Sequence, residues 1–366
     1  MLHVLSIIAP MFMLLGVGML AGFAPRFQSA QAGVNAFVFY FSLPAFLFVA
    51  VTSAPIRDGV PGAFVWVSLG VTALVFALVH LAATVLRRVL GSTRAGLVPG
   101  PLAVAATYGN VGYLGVPIVL SVVGPEAALG AALGQLLHNM LFMVAYPLLR
   151  TLGGGRREPG VGTGGGLDDA TAGVGGGGGA VSVVADGPGA GARGGASHRS
   201  GALADVAALM WRVAKSALLL NPVVLGVVAG IVVGLWGIEL PGVVTASISM
   251  LGQAAVPAAM FAVGLSIKPA LAGMRSGSIP VSAVAAASAV KLAVLPLATL
   301  VVATALSGQL APEWIATAVI MAAMPVSSTA SIIVYEFDGD VRLVGATTLV
   351  TSVLAVVTIP FVLLML

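Results

Sequence analysis

Residues 107–117 are Thr-Tyr-Gly-Asn-Val-Gly-Tyr-Leu-Gly-Val-Pro and residues 324–331 are Met-Pro-Val-Ser-Ser-Thr-Ala-Ser, and each stretch interrupts a long apolar run. Glycine and proline weaken a helix, and proline also removes one backbone donor. Because backbone groups in a bilayer must be hydrogen-bonded within the protein, a broken helix is tolerated there where it is buried or lines a cavity. Two such breaks, one in each half of the chain, indicate a transport site.

The composition places the chain in a lipid bilayer. Of its 366 residues, 59% are hydrophobic and only 8% are charged, and the mean hydropathy is +1.11. A membrane helix needs about 20 apolar residues to cross a hydrocarbon core of about 30 Å. We therefore predict an all-α polytopic membrane protein with ten transmembrane helices, at 5–23, 33–52, 62–86, 100–123, 126–149, 216–237, 243–267, 279–306, 313–336 and 341–365. The first run lacks a basic segment before it, so we expect a retained span rather than a cleaved signal peptide.

Lysine and arginine mark one set of loops. Fourteen of the 16 lie in the connections from an odd span to the next even span, whereas the opposite loops hold only Arg57. The positive-inside rule makes the first set cytoplasmic, so both termini face outward across the cytoplasmic (plasma) membrane. The positions of the basic residues thus indicate the orientation of the chain in the membrane. Nucleic acid is not an expected partner.

Residues 153–205 divide the chain. They are mostly glycine, alanine, serine and aspartate with almost no large apolar side chains, which predicts a disordered cytoplasmic linker. It separates a first five-helix repeat at 1–152 from a second at 206–366. An odd number of spans in each half gives the two halves opposite orientations, which is the inverted-repeat arrangement. Leu-Pro-Ala-Phe-Leu-Phe-Val-Ala at 43–50 resembles Val-Pro-Ala-Ala-Met-Phe-Ala-Val at 256–263, in agreement.

The polar residues at the two breaks are candidate substrate ligands. We expect the first helix to unwind near 110–114 and the second to free carbonyls near 321–323. The second half of each helix would then aim its first amide groups at the middle of the membrane, and such helix ends favour anions. The alternative is structural, because these residue types also serve helix packing. The candidates are Asn110, Gly112, Tyr113, Pro117, Pro325, Ser327, Ser328 and Thr329.

Lys291 is the basic residue that lies well inside a predicted span, five residues before Pro296. An ammonium at that depth costs at least about 2.5 kcal/mol, so it should face the helix bundle and meet a carbonyl, an anion or a break. We expect Lys291 to act in substrate binding or coupling. The alternative is structural pairing with carbonyls freed by a broken helix.

Further polar or kinking residues are expected to line the pathway, although helix packing would use the same types. No aspartate or glutamate lies as deep as Lys291, so any ion coupling would use Lys291, His138 or uncharged oxygens. The pathway candidates are Asn35, Ser42 and Pro44 in the second span, His138 and Asn139 in the fifth, and Gln253 and Pro257 in the seventh.

Other functional classes lack their motifs. The sequence contains no His-Glu-x-x-His, no Gly-x-Ser-x-Gly and no buried aspartate pair, so an enzyme is not expected. It contains no cysteine, which excludes disulfides and thiolate metal sites. We expect no cofactor and no metal. A channel fits poorly because its filter repeats by rotation, whereas these halves are inverted.

Several segments together resemble the auxin efflux carrier family, which includes plant PIN-type auxin exporters and bacterial malonate-type permeases. They are Asn-Ala-Phe-Val-Phe-Tyr-Phe-Ser-Leu-Pro-Ala-Phe-Leu-Phe at 35–48, Gly-Asn-Val-Gly-Tyr-Leu-Gly-Val-Pro at 109–117, Asn-Pro at 221–222, Val-Pro-Ala-Ala-Met-Phe-Ala-Val-Gly at 256–264, Lys-Leu-Ala-Val-Leu-Pro at 291–296 and Met-Pro at 324–325.

The resemblance implies a scaffold part and a transport part, with helices 4 and 9 crossing where they unwind. Asn110, Pro117 and Pro325 would frame this crossover. The second crossing helix of the family often carries an asparagine near its proline, where this chain has Val326, Ser327 and Ser328. The family's substrates are organic anions, and its plant members form dimers, so a homodimer is one expectation.

We therefore expect a secondary transporter that exports small organic anions or carboxylates by alternating access. The inside-negative membrane potential favours anion export without a coupling ion. Two alternatives stay open at this point. One is a sodium- or proton-coupled uptake symporter for organic anions, and the other is a non-transporting membrane sensor.

Overall fold

The computed structural model describes residues 2–53, 59–90, 98–152, 221–265, 268, 281–336, 339 and 341–366. Within these residues the chain is helical, and the only strand-like feature is one isolated β-bridge. The predicted linker at 153–205 lies outside the described residues. So do residues 216–220 at the start of the predicted sixth span.

Twelve helices are numbered here in chain order over the described ranges. They are α1 Leu2–Ala21, α2 Pro25–Thr52, α3 Gly62–Val89, α4 Pro99–Thr107, α5 Val111–Val122, α6 Ala128–Leu152, α7 Pro222–Trp236, α8 Gly242–Leu265, α9 Val281–Ala305, α10 Pro312–Ala322, α11 Thr329–Glu336 and α12 Val341–Leu363.

Six helices among the described residues are long and apolar enough to cross a membrane: α2, α3, α6, α8, α9 and α12. Shorter apolar helices lie at Ala9–Ala21 in α1 and at α5, α7 and α10. The predicted spans at 100–123 and 313–336 are each divided into two helices, α4 with α5 and α10 with α11. Both divisions fall at the glycine- and proline-containing stretches, as predicted.

Three wide π-helical turns have a proline as their common cause. The turns at Val38–Ser42, Val111–Gly115 and Val290–Val294 are each followed, after one further residue, by Pro44, Pro117 or Pro296. Proline lacks an amide hydrogen and its ring clashes with the carbonyl four residues earlier, and the wider turn accommodates both effects. Pro117 therefore shapes the start of α5 and does not itself lie at the break.

Helices α1, α2, α7 and α8 form the first helix group. The second half of α8 packs along α1, and α7 packs along the second half of α2. Glycines permit this approach, because a Cβ at Gly264 would overlap the backbone of α1 and one at Gly226 would overlap the backbone at Pro44. Small residues at such contacts are the usual basis of helix association in membranes.

Helices α3–α6 and α9–α12 form the second helix group, which contains both broken helices. Its apolar core joins α4, α6, α9, α11 and α12 around the fully buried rings of Phe142 and Tyr146. A second core cluster continues from α5 and α10 into the first group. The breaks therefore lie inside the protein, on the side of the second group that faces the first.

Candidate functional site

The first break lies between α4 and α5. Helix α4 ends at Thr107, Tyr108 is extended with φ −77° and ψ 100°, and helical turns resume at Val111. The chain is therefore extended at 108–110, a few residues before the expected unwinding at 110–114. The expected region is instead the π-helical turn ahead of Pro117, so the local prediction was wrong in register.

The two breaks meet as short extended segments, residues 108–110 and 325–327, which we call the crossing. Gly109 and Val326 form an antiparallel bridge. The Asn110 amide donates to the Pro325 carbonyl at 2.7 Å, and the Ser327 amide donates to the Tyr108 carbonyl at 3.1 Å. Each broken helix thus satisfies backbone groups freed in the other, as an unwound segment inside a membrane requires.

The two bridging amides are held by side chains from outside the crossing. The Gly109 amide donates to Nε2 of His138 in α6 at 2.9 Å. The Val326 amide donates to Oγ1 of Thr351 in α12 at 3.0 Å. All four amides at 109–110 and 326–327 therefore have a partner.

Lys291 lies behind the crossing and is not among the residues that line the cavities described below. It is fully buried, and its Nζ donates to the Ala322 carbonyl at the end of α10 at 2.8 Å. A Cβ on Gly109 would lie 2.9 Å from Nζ, so the ammonium packs directly against the first break. Lysine at the C-terminal end of a helix also interacts favourably with the helix dipole. The pairing with a freed carbonyl near 321–323 matches the structural alternative.

The helices that follow the breaks begin at the crossing. The Asn110 side chain caps α5 by accepting from the Tyr113 amide at 3.3 Å. The Ser327 hydroxyl caps α11 by accepting from the Thr329 amide at 3.2 Å. Because the first amides of both helices point to the same region, their partial positive charges add there.

The first cavity lies between the first break and helices α2, α6 and α7. Its polar lining includes Asn110, Gln135, Asn139 and Asn221, and the Tyr108 hydroxyl donates to Asn139 Oδ1 at 3.1 Å. Gln135 is 5% exposed and its Oε1 has no hydrogen-bond partner in the described part of the chain. Gly112 lies against this amide, where any side chain would overlap it.

The second cavity lies between the second break and helices α2, α8 and α12. Its lining is rich in uncharged oxygens, from Gln31, Asn35, Ser327, Ser328, Thr329, Thr348 and Ser352. Four residues line both cavities, namely Asn110, Tyr113, Ser327 and Thr329. None of the described residues lining either cavity is lysine, arginine, aspartate or glutamate.

Some sequence candidates lie away from both cavities. Gln253 and Pro257 are exposed on α8, and Gln253 donates to Ser249 at 3.2 Å. Ser42 is fully buried within α2, and Pro44 packs against Gly226 of α7. Pro117 is buried within α5.

The prediction did not include several residues that the structure brings to the site. Gln31, Thr348 and Ser352 line the second cavity, and Thr351 holds the Val326 amide. Thr351 occupies the same position in α12 as His138 does in α6, counted from the first residue of each helix. Aligning the two halves would have identified Thr351.

Two comparisons with known proteins identify the family. The family model described as "Membrane transport protein" matches residues 3–164 and 167–363. A protein of Rhizobium meliloti (strain 1021) named "Putative malonate transporter" is 27% identical over 363 residues, which is 98% of this chain and 94% of that protein. The chain is accordingly a multi-pass membrane transporter and not an enzyme. It belongs to the membrane transport protein family, the auxin efflux carrier family that its segments resemble.

Proposed function

We propose that the protein is a secondary transporter of small organic anions that binds its substrate at the crossing. The observation that carries this proposal is the meeting of two helix starts at one point between two cavities. Asn110 and Tyr113 from the first broken helix, with Ser327 and Thr329 from the second, line both cavities. A ligand held by these residues can be reached from either cavity.

The division into two helix groups supports alternating access. Both cavities lie where α2 of the first group faces the broken helices of the second group. Rigid movement of one group against the other would widen one cavity and narrow the other, while the crossing stays between them. This is the behaviour expected of carriers with broken helices at a repeat interface.

The local charge supports an anionic substrate. The amides that begin α5 and α11 point to the crossing, and the Lys291 amine lies behind Gly109. No carboxylate is present among the described residues that line the two cavities. The name of the Rhizobium relative makes malonate the first substrate to test.

We further propose ten transmembrane helices arranged as two inverted five-helix repeats, at 1–152 and 206–366, joined by a cytoplasmic linker at 153–205. Equivalent positions of His138 and Thr351 support the repeat. So do the π-helical turns in the third helix of each half, at Trp66–Val71 and Val290–Val294. The loop charges support outward termini in the cell membrane.

Export is the proposed direction. An inside-negative potential contributes about 2.3 kcal/mol per charge per 100 mV to outward movement of an anion. Transport of a small carboxylate therefore needs no coupling ion to be driven out of the cell.

A sodium-coupled uptake symporter is the second candidate, because the second cavity has oxygen ligands from α2, α11 and α12. Carboxamide and hydroxyl oxygens are ligands for hard cations. This candidate requires that flux stop when sodium is replaced by potassium.

Counterflow of labelled malonate into proteoliposomes tests the proposal, with succinate, lactate and indole-3-acetate as unlabelled competitors. We expect saturable flux that a carboxylate competitor suppresses, in sodium or potassium buffer alike. Flux only in sodium would favour the symporter. Malonate binding to the purified protein without flux would favour a membrane sensor, and neither binding nor flux for any of these anions would overturn the proposed substrate class.

A further inference from the structure

The two bridging residues of the crossing, Gly109 and Val326, each donate a backbone amide to a side chain. The accepting group differs between the two. Gly109 donates its amide to the imidazole of His138, and Val326 donates its amide to the hydroxyl of Thr351. The two acceptors occupy equivalent positions in α6 and α12. The two halves of the site therefore use the same architecture with one titratable and one non-titratable acceptor.

The bond to His138 defines the state of the imidazole. An imidazole nitrogen accepts a hydrogen bond only when it carries no proton, so Nε2 is the free nitrogen and the ring is neutral. Protonation would leave an N–H facing the Gly109 N–H, with no acceptor for either donor. The Thr351 hydroxyl keeps its lone pairs at any physiological pH, and it donates its own hydrogen to the Thr347 carbonyl at 2.7 Å.

Packing fixes the imidazole in place. The ring stacks on Tyr108 with centroids 5.3 Å apart and an interplanar angle of 4°, and Phe142 covers it from another side at 4.9 Å. His138 is 8% exposed. The ring cannot rotate without breaking these contacts. Loss of its hydrogen bond to Gly109 would therefore leave the Gly109 amide without a partner and weaken the crossing.

The charged groups around His138 oppose a second positive charge. Lys291 also packs on this glycine, where a Cβ would lie 2.9 Å from Nζ, and Tyr108 is the titratable group stacked on the ring. The described helices that pack on α6 carry other titratable residues, and none of these forms a ring contact or a hydrogen bond with His138. These are Arg26 and Tyr40 on α2, His80, Arg87 and Arg88 on α3, Tyr113 on α5, Glu313 on α10, and Tyr335 and Glu336 on α11.

A third, small cavity offers water a place beside this ring. It lies on the α3 and α10 side of the crossing and is lined by Ser68, Thr72, Val111, Gly134, His138, Thr299, Ala318, Met321 and Ala322. The buried Ser68 hydroxyl oxygen there has no hydrogen-bond partner in the described part of the chain. Buried water typically binds such unsatisfied polar groups.

We infer that His138 is a positioning residue whose neutral imidazole holds the first half of the crossing, so that transport depends on His138 being unprotonated. Thr351 holds the second half in the same way without proton sensitivity. The inference rests on the proposed function for its effect on transport, but the hydrogen bond to Gly109 can be tested without any substrate.

The substrate-free test is hydrogen exchange of the wild-type protein and of His138→Gln and His138→Leu. Glutamine places an amide oxygen near the position of Nε2 and cannot be protonated, whereas leucine removes the acceptor. The pH series extends well below the range in which an exposed histidine changes charge, about pH 5 to pH 8, because burial and the nearby Lys291 oppose protonation of this ring. After correction for intrinsic rates, we expect wild-type protection at 108–110 to fall relative to 325–327 as pH is lowered, and the His138→Gln ratio to stay constant.

Transport supplies the second readout. His138→Gln should retain counterflow at neutral pH, and the ratio of wild-type to His138→Gln flux should fall several-fold on acidification, whereas Thr351→Ala should lose flux equally at every pH. The inference is overturned if the wild-type protection ratio is independent of pH, or if His138→Gln loses protection at 108–110 as His138→Leu does. Protection behaving as expected with no anion flux would overturn the proposed function alone.

Discussion

At the residue scale, the crossing depends on close packing and hydrogen bonding around Gly109. Gly109 is contacted by Lys291 on one side and bonded to His138 on the other. Lys291 has an acceptor in the Ala322 carbonyl, so its ammonium is not left unpaired in the bilayer. A buried charge with one carbonyl partner remains costly, and an anion bound at the crossing would reduce that cost.

Gly109→Ala should destabilise the crossing. The added methyl group would lie 2.9 Å from Nζ of Lys291, which full burial and the bond to Ala322 hold in place. Overpacking of this kind costs about 1–3 kcal/mol. We expect a lower unfolding temperature in detergent, whereas Gly33→Ala, which meets no atom within 4 Å, should not lower it. Equal unfolding temperatures for the two variants would contradict the packing described here.

Lys291→Gln separates the charge of Lys291 from its hydrogen bond. Glutamine can still donate to the Ala322 carbonyl but carries no charge, whereas Lys291→Met removes both. If the charge attracts the substrate, both variants should bind malonate at least about tenfold more weakly, because Coulomb interactions persist in a low-dielectric interior. Equilibrium binding measures this. A glutamine variant with wild-type affinity would assign Lys291 a structural role.

At the element scale, proline and glycine determine where the helices break and widen. Each of the prolines Pro44, Pro117 and Pro296 follows a π-helical turn, and the two broken helices pair with each other where their chains are extended. The π-helical turn at Trp66–Val71 has no proline, but Thr72 donates to the Ser68 carbonyl at 2.9 Å. Such back-bonding bends helices.

Gly264→Val tests the close approach of α1 and α8. Any Cβ at Gly264 would overlap the backbone of α1 near Leu15 and Gly18, and backbone cannot move aside as a flexible side chain can. We expect markedly reduced yield of folded protein in detergent. Gly16→Val lies in the same helix pair with no atom within 4 Å, and it should give a wild-type yield. Folded Gly264→Val protein with an unchanged unfolding temperature would contradict this contact.

The sequence predicted the breaks and the burial of Lys291 because glycine, proline and charge have strong local effects in a membrane. It did not predict which helix faces meet, since apolar residues surround membrane helices on all sides. Gln253 and Pro257 were expected in the pathway but are exposed on α8. Thr351 resembles any threonine that bonds to its own helix, until the fold places it beside Val326.

At the scale of the whole molecule, the proposed mechanism is movement of one helix group against the other around a fixed crossing. The first group packs through close backbone contacts, and the second through a continuous apolar core. The interface between them contains both cavities. A site at such an interface can open to one side of the membrane or the other while its own residues stay in contact.

Cross-linking of introduced cysteines tests this movement. The chain contains no native cysteine, so only the introduced residues will react. Asn35→Cys on α2 and Ile332→Cys on α11 both line the second cavity but lie in different groups. Joining them with a short bismaleimide should abolish flux. Joining Ile332→Cys to Ser352→Cys, both in the second group, places the same linker in the same cavity without tying the groups together, and it should reduce flux less. Full flux through the first cross-linked protein would exclude relative movement of the two groups.

The most direct test of the central claim is malonate counterflow by Asn110→Ala and Gln253→Ala. Asn110 lines both cavities and caps α5, whereas Gln253 is exposed on α8. Loss of a hydrogen bond to a charged ligand costs about 1.5–3 kcal/mol, or at least about tenfold in affinity. We predict that Asn110→Ala raises the half-saturating malonate concentration by this factor and that Gln253→Ala leaves it unchanged. Wild-type saturation by folded Asn110→Ala would contradict a substrate site at the crossing.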